Sequence, residues 1–231
     1  MLNAYDAILF DVGGPLDMEF AWEIAVDSAI ASACALEGIR VDEEMLAAAS
    51  RRAVEVFAPD AYFHMIETLC GGDPRAIARV DRRRRDTLAE LDTFQLRPGI
   101  ADLLQRLAAQ GFALGIVANQ PASAAERLRR AGIARHFKYV GLSELMGVRK
   151  PDAAIFLGVA EALGVAPARC IMVGDRIDND IAPAKALGMA AIRFRTGRHA
   201  RQQPRGPSEA PDADVVDVLE LERAIEALLG R

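Results

Sequence analysis

Six short apolar runs recur along the chain, at residues 5–11 (YDAILFD), 112–118 (FALGIVA), 138–142 (KYVGL), 169–174 (RCIMVG), 189–194 (MAAIRF) and 213–216 (ADVV). Continuous apolar runs of this length suit strands that are covered on both faces. Between them lie stretches with helix punctuation. Residues 98–110 open with Pro98 and stop before Gly111, 122–131 stop before Gly132, 151–163 open with Pro151 and stop before Gly164, and 179–187 stop before Gly188. Proline at the start of a helix and glycine just past its end is the expected asymmetry. Strands alternating with helices of this length predict βαβ units, and so an α/β three-layer core around a parallel sheet.

Residues 18–96 break the alternation. Trp22, Val26, Ala29, Ile30 and Ala33 form one helical stripe, Asp42 stands before Glu43 and Glu44 as an N-cap, and Asp73-Pro74 opens a further helix. The pattern therefore predicts a core of residues 1–17 and 97–231 carrying an inserted α-helical lobe over 18–96. The run Arg82–Arg85 reads as a solvated helix face, because consecutive residues point in different directions around a helix. Residues 196–212, rich in Gly, Pro, Arg and Gln, read as one long surface loop.

Composition narrows the function classes. With 52% hydrophobic and 26% charged residues over 231 positions, the chain is neither disordered nor fibrous. A net charge of −5 argues against a nucleic-acid partner, which would need a basic footprint. No run approaches the 18 or more apolar residues of a membrane span, and residues 1–11 carry Asp6 and Asp11 but no cation. A cytoplasmic protein with no membrane partner is expected, as a monomer or a homodimer. Cys34, Cys70 and Cys170 lack disulfide or zinc spacing and read as small buried residues. Of the 28 cationic residues only Lys138, Lys150 and Lys185 are lysines, so chemistry that needs an amine has three candidates.

An open parallel sheet binds ligands beyond the C-terminal ends of its strands. The first run ends there in Asp11, followed by Val-Gly-Gly-Pro-Leu. The fourth ends in Gly174-Asp175, with Asp178, Asn179 and Asp180 behind it, and Arg149-Lys150-Pro151 puts an ammonium just before a helix start. Carboxylates from two strand ends repel each other unless a cation lies between them, and hard oxygen ligands favour Mg²⁺. A lysine beside them suits the remaining charge of a phosphate.

These residues resemble the haloacid dehalogenase-like superfamily of hydrolases, in its helical-cap (C1-type) branch. The matching pieces are the apolar strand with Asp11, the strand ending at Ala118-Asn119, Lys150-Pro151 and Gly174-Asp175-x-x-x-x-Asp180. The resemblance implies a Rossmann-like three-layer core with a cap over 18–96, and phosphoryl transfer through an aspartyl phosphate on a small phosphorylated substrate. It makes Asp11 the nucleophile, and Asp11, the Gly13 carbonyl, Asp175 and Asp180 the Mg²⁺ side. Lys150 holds both nucleophile and phosphoryl oxygens, and the Asn119 backbone amide donates to the phosphoryl group.

Three positions depart from that family's pattern. Gly13 stands where its phosphatases usually carry a second Asp as general acid and base, Ala118 replaces a Ser or Thr, and Pro15 replaces a Thr or Val. Asp17, Glu19 and His64 are candidate substitute acids. A Mg²⁺-dependent phosphatase-like hydrolase is the leading expectation, and a catalytically weak protein that binds a phosphorylated ligand or partner is the alternative. A 2-haloacid dehalogenase comes third. A lysine Schiff base in the lobe is disfavoured, since 18–96 contain no lysine.

Overall fold

The computed structural model describes residues 4–230; residues 1–3 and 231, which the sequence reading included in the core, lie outside it. Each of the six apolar runs contains one strand: β1 (Ala7–Phe10), β2 (Ala113–Ala118), β3 (Tyr139–Leu142), β4 (Cys170–Gly174), β5 (Ala190–Phe194) and β6 (Ala213–Val215). They form one parallel sheet in the order β3-β2-β1-β4-β5-β6. In the register, Ala7 is aligned with Ala113 and Cys170, and Leu9 with Gly115 and Met172.

The helices are α1 (Phe20–Leu36), α2 (Glu43–Glu55), α3 (Ala61–Leu69), α4 (Pro74–Leu88), α5 (Ile100–Ala109), α6 (Ala124–Arg130), α7 (Ser143–Met146), α8 (Ala153–Leu163), α9 (Ala182–Ala186) and α10 (Val218–Leu228). Ala7, Leu9, Val117 and Met172 pack with Ile155, Phe156 and Val159 of α8 and Ala184 of α9. Ile8 and Phe10 point the other way and are fully buried. Apolar side chains on both faces explain why these strands read as continuous runs rather than alternating ones.

The chain divides into two compact units. One, the sheet unit, comprises the chain up to Met18, Gln95–Thr196 and Gln203 onwards; the other, the helical unit, comprises Glu19–Phe94 with Gly197–Gln202. The helical unit has its own core, with Val26, Ile30, Met65, Ile66 and Val80 at its centre. Asp42, Asp60 and Asp73 cap α2, α3 and α4 by accepting from Met45, Phe63 and Arg75 N–H at 2.8, 3.0 and 2.9 Å. Each such cap contributes about 1 kcal/mol. In the arginine run Arg82, Arg83 and Arg85 are exposed, whereas Arg84 turns inward to Asp81 at 2.7 Å.

The stretch 196–212 is more ordered than a plain loop. It carries short 3₁₀ turns at Arg198–Arg201 and Pro207–Glu209, and Gln202 is buried. Arg198 donates to Asp27 at 2.9 Å and to Ser50 Oγ at 2.5 Å, and its guanidinium lies over the Tyr62 ring. Gly, Pro and Arg content looks like solvent-exposed loop, and the contacts of one specific arginine, which order it, leave no sign in composition. Among the described residues no helix is long and apolar enough to cross a membrane, and the three cysteines are buried free thiols.

Candidate active site

The sheet changes winding direction between β1 and β4, since β2 and β3 extend it one way and β5 and β6 the other. Such a switch point leaves a crevice beyond the C-terminal strand ends. Asp11 N–H donates to the Val173 carbonyl at 2.9 Å, extending the β1–β4 ladder by one residue. This bond seats Asp11 beside the Gly174-Asp175 end of β4.

The structure brings Asp11, Asp175 and Asp180 together, with one carboxylate oxygen from each within 4.8 Å of the others. Lys150 reaches the same point. Its buried Nζ lies 2.9 Å from Asp11 Oδ1 and 2.5 Å from Asp180 Oδ1. Asp11 Oδ1 also accepts from Val12 N–H at 2.8 Å, and Asp180 Oδ2 accepts from Arg176 N–H at 3.0 Å. Burial pushes the Asp11 carboxyl above the ordinary carboxylate range; the Lys150 charge opposes this and the Asp180 charge adds to it. For Lys150 burial acts downward, but Asp11 and Asp180 outweigh it and hold the amine above its ordinary value.

Two local devices make this geometry possible. The first is Gly174. A Cβ there would lie 2.4 Å from both Cβ and Cγ of Asp180, so only glycine lets the carboxylate lie against the strand end. Asp180 itself sits in a π-helical turn, Ile177–Ile181, that precedes α9 where regular helix was expected. The second is Asn119 at the end of β2. Its Oδ1 accepts from Lys150 N–H at 2.8 Å and its Nδ2 donates to the Lys150 carbonyl at 3.0 Å, which fixes the backbone from which the amine extends.

Other candidates are engaged elsewhere. Asp17 Oδ1 accepts from Gln95 N–H at 2.9 Å, and Asp178 pairs with Arg176 at 2.5 Å. Glu19 and His64 belong to the helical unit; Glu19 precedes α1 with φ 57°, and His64 Nδ1 lies 3.6 Å from Glu67. Gly13 is buried in the turn after Asp11, and Ala118 is buried with no hydroxyl to offer. The Asn119 clamp and the requirement for Gly174 escape sequence reasoning, because both depend on which distant residue the fold brings alongside.

The donor set fits a hard divalent cation. Three converging carboxylates face a single ammonium, and all the donors are oxygens. Asp11, Asp175 and Asp180 are the side chains that would hold it.

Comparison with known proteins agrees with this geometry. The parallel α/β sheet with an acidic cluster and a lysine at its switch point places the chain among doubly wound α/β proteins, and the model of one family, haloacid dehalogenase-like hydrolase, matches residues 5–188. The chain belongs to that family. It is 39% identical over 119 residues to glyceraldehyde 3-phosphate phosphatase of Methanopyrus kandleri, covering 51% of each protein. It is 33% identical over 129 residues to phosphoserine phosphatase of Thermus thermophilus, covering 55% of this chain and 50% of that protein. With phosphoglycolate phosphatase of Escherichia coli (strain K12) it shares 36% over 124 residues, 53% of this chain and 48% of that protein. The matches thus span about half the length of these curated relatives. Among solved structures, a predicted phosphoglycolate phosphatase from Haemophilus somnus 129pt aligns with TM-score 0.75 at 21% identity, over 97% of this chain and 100% of that one, a likeness of fold.

Proposed function

We propose that the protein is a Mg²⁺-dependent phosphatase-like hydrolase acting on a small phosphorylated metabolite, with the sheet unit as its catalytic core and the helical unit as its cap. The observation that carries this reading is Lys150 Nζ bonded to both Asp11 and Asp180 at the sheet's switch point, beside Asp175. Three relatives named for three different small phosphate esters support the substrate class.

Asp11 is the nucleophile. With Oδ1 held by Val12 N–H and Lys150, Oδ2 attacks phosphorus, the bond to the leaving oxygen breaks, and an aspartyl phosphate forms. Water then attacks phosphorus, giving up a proton to solvent, and the bond to Asp11 breaks to release inorganic phosphate and the free carboxylate. Lys150 holds the nucleophile in place and presents positive charge to the phosphoryl oxygens, and the Asn119 backbone amide donates to them. Asp11, Asp175, the Gly13 carbonyl and Asp180 would hold Mg²⁺, which would neutralise the charge that develops on those oxygens. Both Asp180 oxygens already accept protein hydrogen bonds, which suits it to orienting Lys150 and the cation side together.

Gly13 supplies no proton to the leaving group, a loss of about 10²–10⁴-fold where a poor leaving group needs one. That position favours the second reading, a protein that binds a phosphorylated ligand without efficient turnover. Hydrolysis of an aryl phosphate and of an acyl phosphate, with and without Mg²⁺, separates the two. Wild type is expected to hydrolyse at least the acyl phosphate only with Mg²⁺, Asp11→Asn to be inactive, and Gly13→Asp to gain on the aryl ester. Undiminished activity of Asp11→Asn overturns the mechanism, and turnover by Gly13→Asp alone establishes the binding reading. Metal-independent halide release from a 2-haloacid would make the protein a dehalogenase.

A further inference from the structure

We propose that Arg97 is a positioning residue that fixes the turn after Asp11 and so sets the cation side of the site, an inference that rests on the functional reading above. Arg97 follows the short ladder in which Asp17 pairs with Leu96, and its N–H donates to the Leu16 carbonyl at 2.8 Å. Its guanidinium lies over the ring of the fully buried Phe194, 4.3 Å from the centroid. From that base, Nε donates to the Gly14 carbonyl at 2.8 Å and Nη2 to Thr196 Oγ1 at 3.1 Å.

The Gly14 carbonyl is a sensitive place to hold. Gly14 is followed by Pro15, so the peptide between them has no N–H, and its carbonyl is the polar group through which its orientation can be fixed. Gly14 has φ 81°, and a Cβ there would lie 2.7 Å from Asp175 Cβ and 3.2 Å from Thr196 Cγ2. The turn is therefore packed directly on a cation-side carboxylate and on the residue Arg97 also bonds. One planar fork thus ties the loop after β1 to the loop after β5, with Asp175 against the turn between them. A lysine could make one of these bonds but not the fork. Tilting the Gly14 peptide would turn the neighbouring Gly13 carbonyl and loosen the contact with Asp175, with no change in any catalytic side chain.

The test measures Mg²⁺ binding by calorimetry, alongside thermal melting. Arg97→Met keeps the apolar stem over Phe194 and removes the donors. It is expected to melt cooperatively but to bind Mg²⁺ at least about tenfold more weakly, equivalent to about 1.4 kcal/mol. Its kcat is expected to recover at saturating Mg²⁺, and Arg97→Lys to restore part of the lost affinity. A purely structural role would lower the melting temperature and leave Mg²⁺ affinity of the folded protein intact. Wild-type Mg²⁺ affinity in Arg97→Met overturns the proposal; should that variant fail to fold, Arg97→Gln decides on the same criterion. No Mg²⁺ binding by the unsubstituted chain overturns the functional reading and this inference with it, a different result from equal binding by both proteins.

Discussion

The methyl group that Gly174 lacks would occupy the space of the Asp180 carboxylate, 2.4 Å from its Cγ and 2.7 Å from its Oδ2. Asp180 in turn holds Lys150, and Lys150 holds Asp11. A displacement begun at Gly174 therefore passes along two ionic contacts to the proposed nucleophile. Gly174→Ala is expected to reduce kcat by about a hundredfold, the scale of a misplacement near 1 Å. Steady-state kinetics on an acyl phosphate, with a melting curve to show that the variant folds, check this. Unchanged kcat would mean that the Asp180 contact does not govern the site. At this scale the meeting of Asp11, Lys150 and Asp175 was legible in the sequence, because each ends a strand or precedes a helix in a parallel α/β pattern, and Asp180 was legible through the spacing Gly174-Asp175-x-x-x-x-Asp180. Asn119 and Arg97 were not legible in their observed roles. Their side chains bond backbone carbonyls of residues 31 and 83 positions away, and no local pattern encodes such a partner.

At the scale of elements, the sheet is dense where α8 lies on it. A Cβ on Gly141 in β3 would lie 2.4 Å from Val159 Cγ2 of α8 and 2.9 Å from the Ile116 carbonyl of β2. Gly115 in β2 would meet Val159 and Leu163, each at 3.0 Å. The close approach of α8, whose preceding turn carries Lys150, thus depends on two missing side chains. Gly141→Ala overpacks this contact and is expected to destabilise the fold by about 1–3 kcal/mol. At about 2–4 °C per kcal/mol for a chain of this size, the melting temperature should fall by several degrees. An unchanged melting temperature would show that α8 shifts at no cost. The six strands were legible because burial on both faces leaves continuous apolar runs. The π-helical start at Ile177–Ile181 and the ordered turn at Arg198–Arg201 were hidden, since the bonds of Asp180 to Lys150 and of Arg198 to Asp27 join distant parts of the chain, which periodicity does not encode.

For the whole molecule, the division into a sheet unit and a helical unit follows a shift from alternating runs to helical stripes, but its composition is less simple than one insertion. Gly197–Gln202 belongs with Glu19–Phe94, so the chain passes between the units four times. Arg198's contacts with Glu23, Asp27 and Ser50 tie the segment there, and a Gly, Pro and Arg-rich stretch conceals it in the sequence. The chain carries a net charge of −5, so an anionic substrate must be met by local positive charge, and Lys150 is the buried amine at the switch point. On the proposed mechanism Asp11 becomes covalently phosphorylated during turnover. Acid quenching of the protein with an acyl phosphate and Mg²⁺, followed by peptide mass spectrometry, tests it directly. One phosphoryl group is expected on the peptide containing Asp11 and none in Asp11→Asn; a phosphoryl group elsewhere, or turnover with no phosphorylated protein at any time point, would rule out Asp11 as the nucleophile.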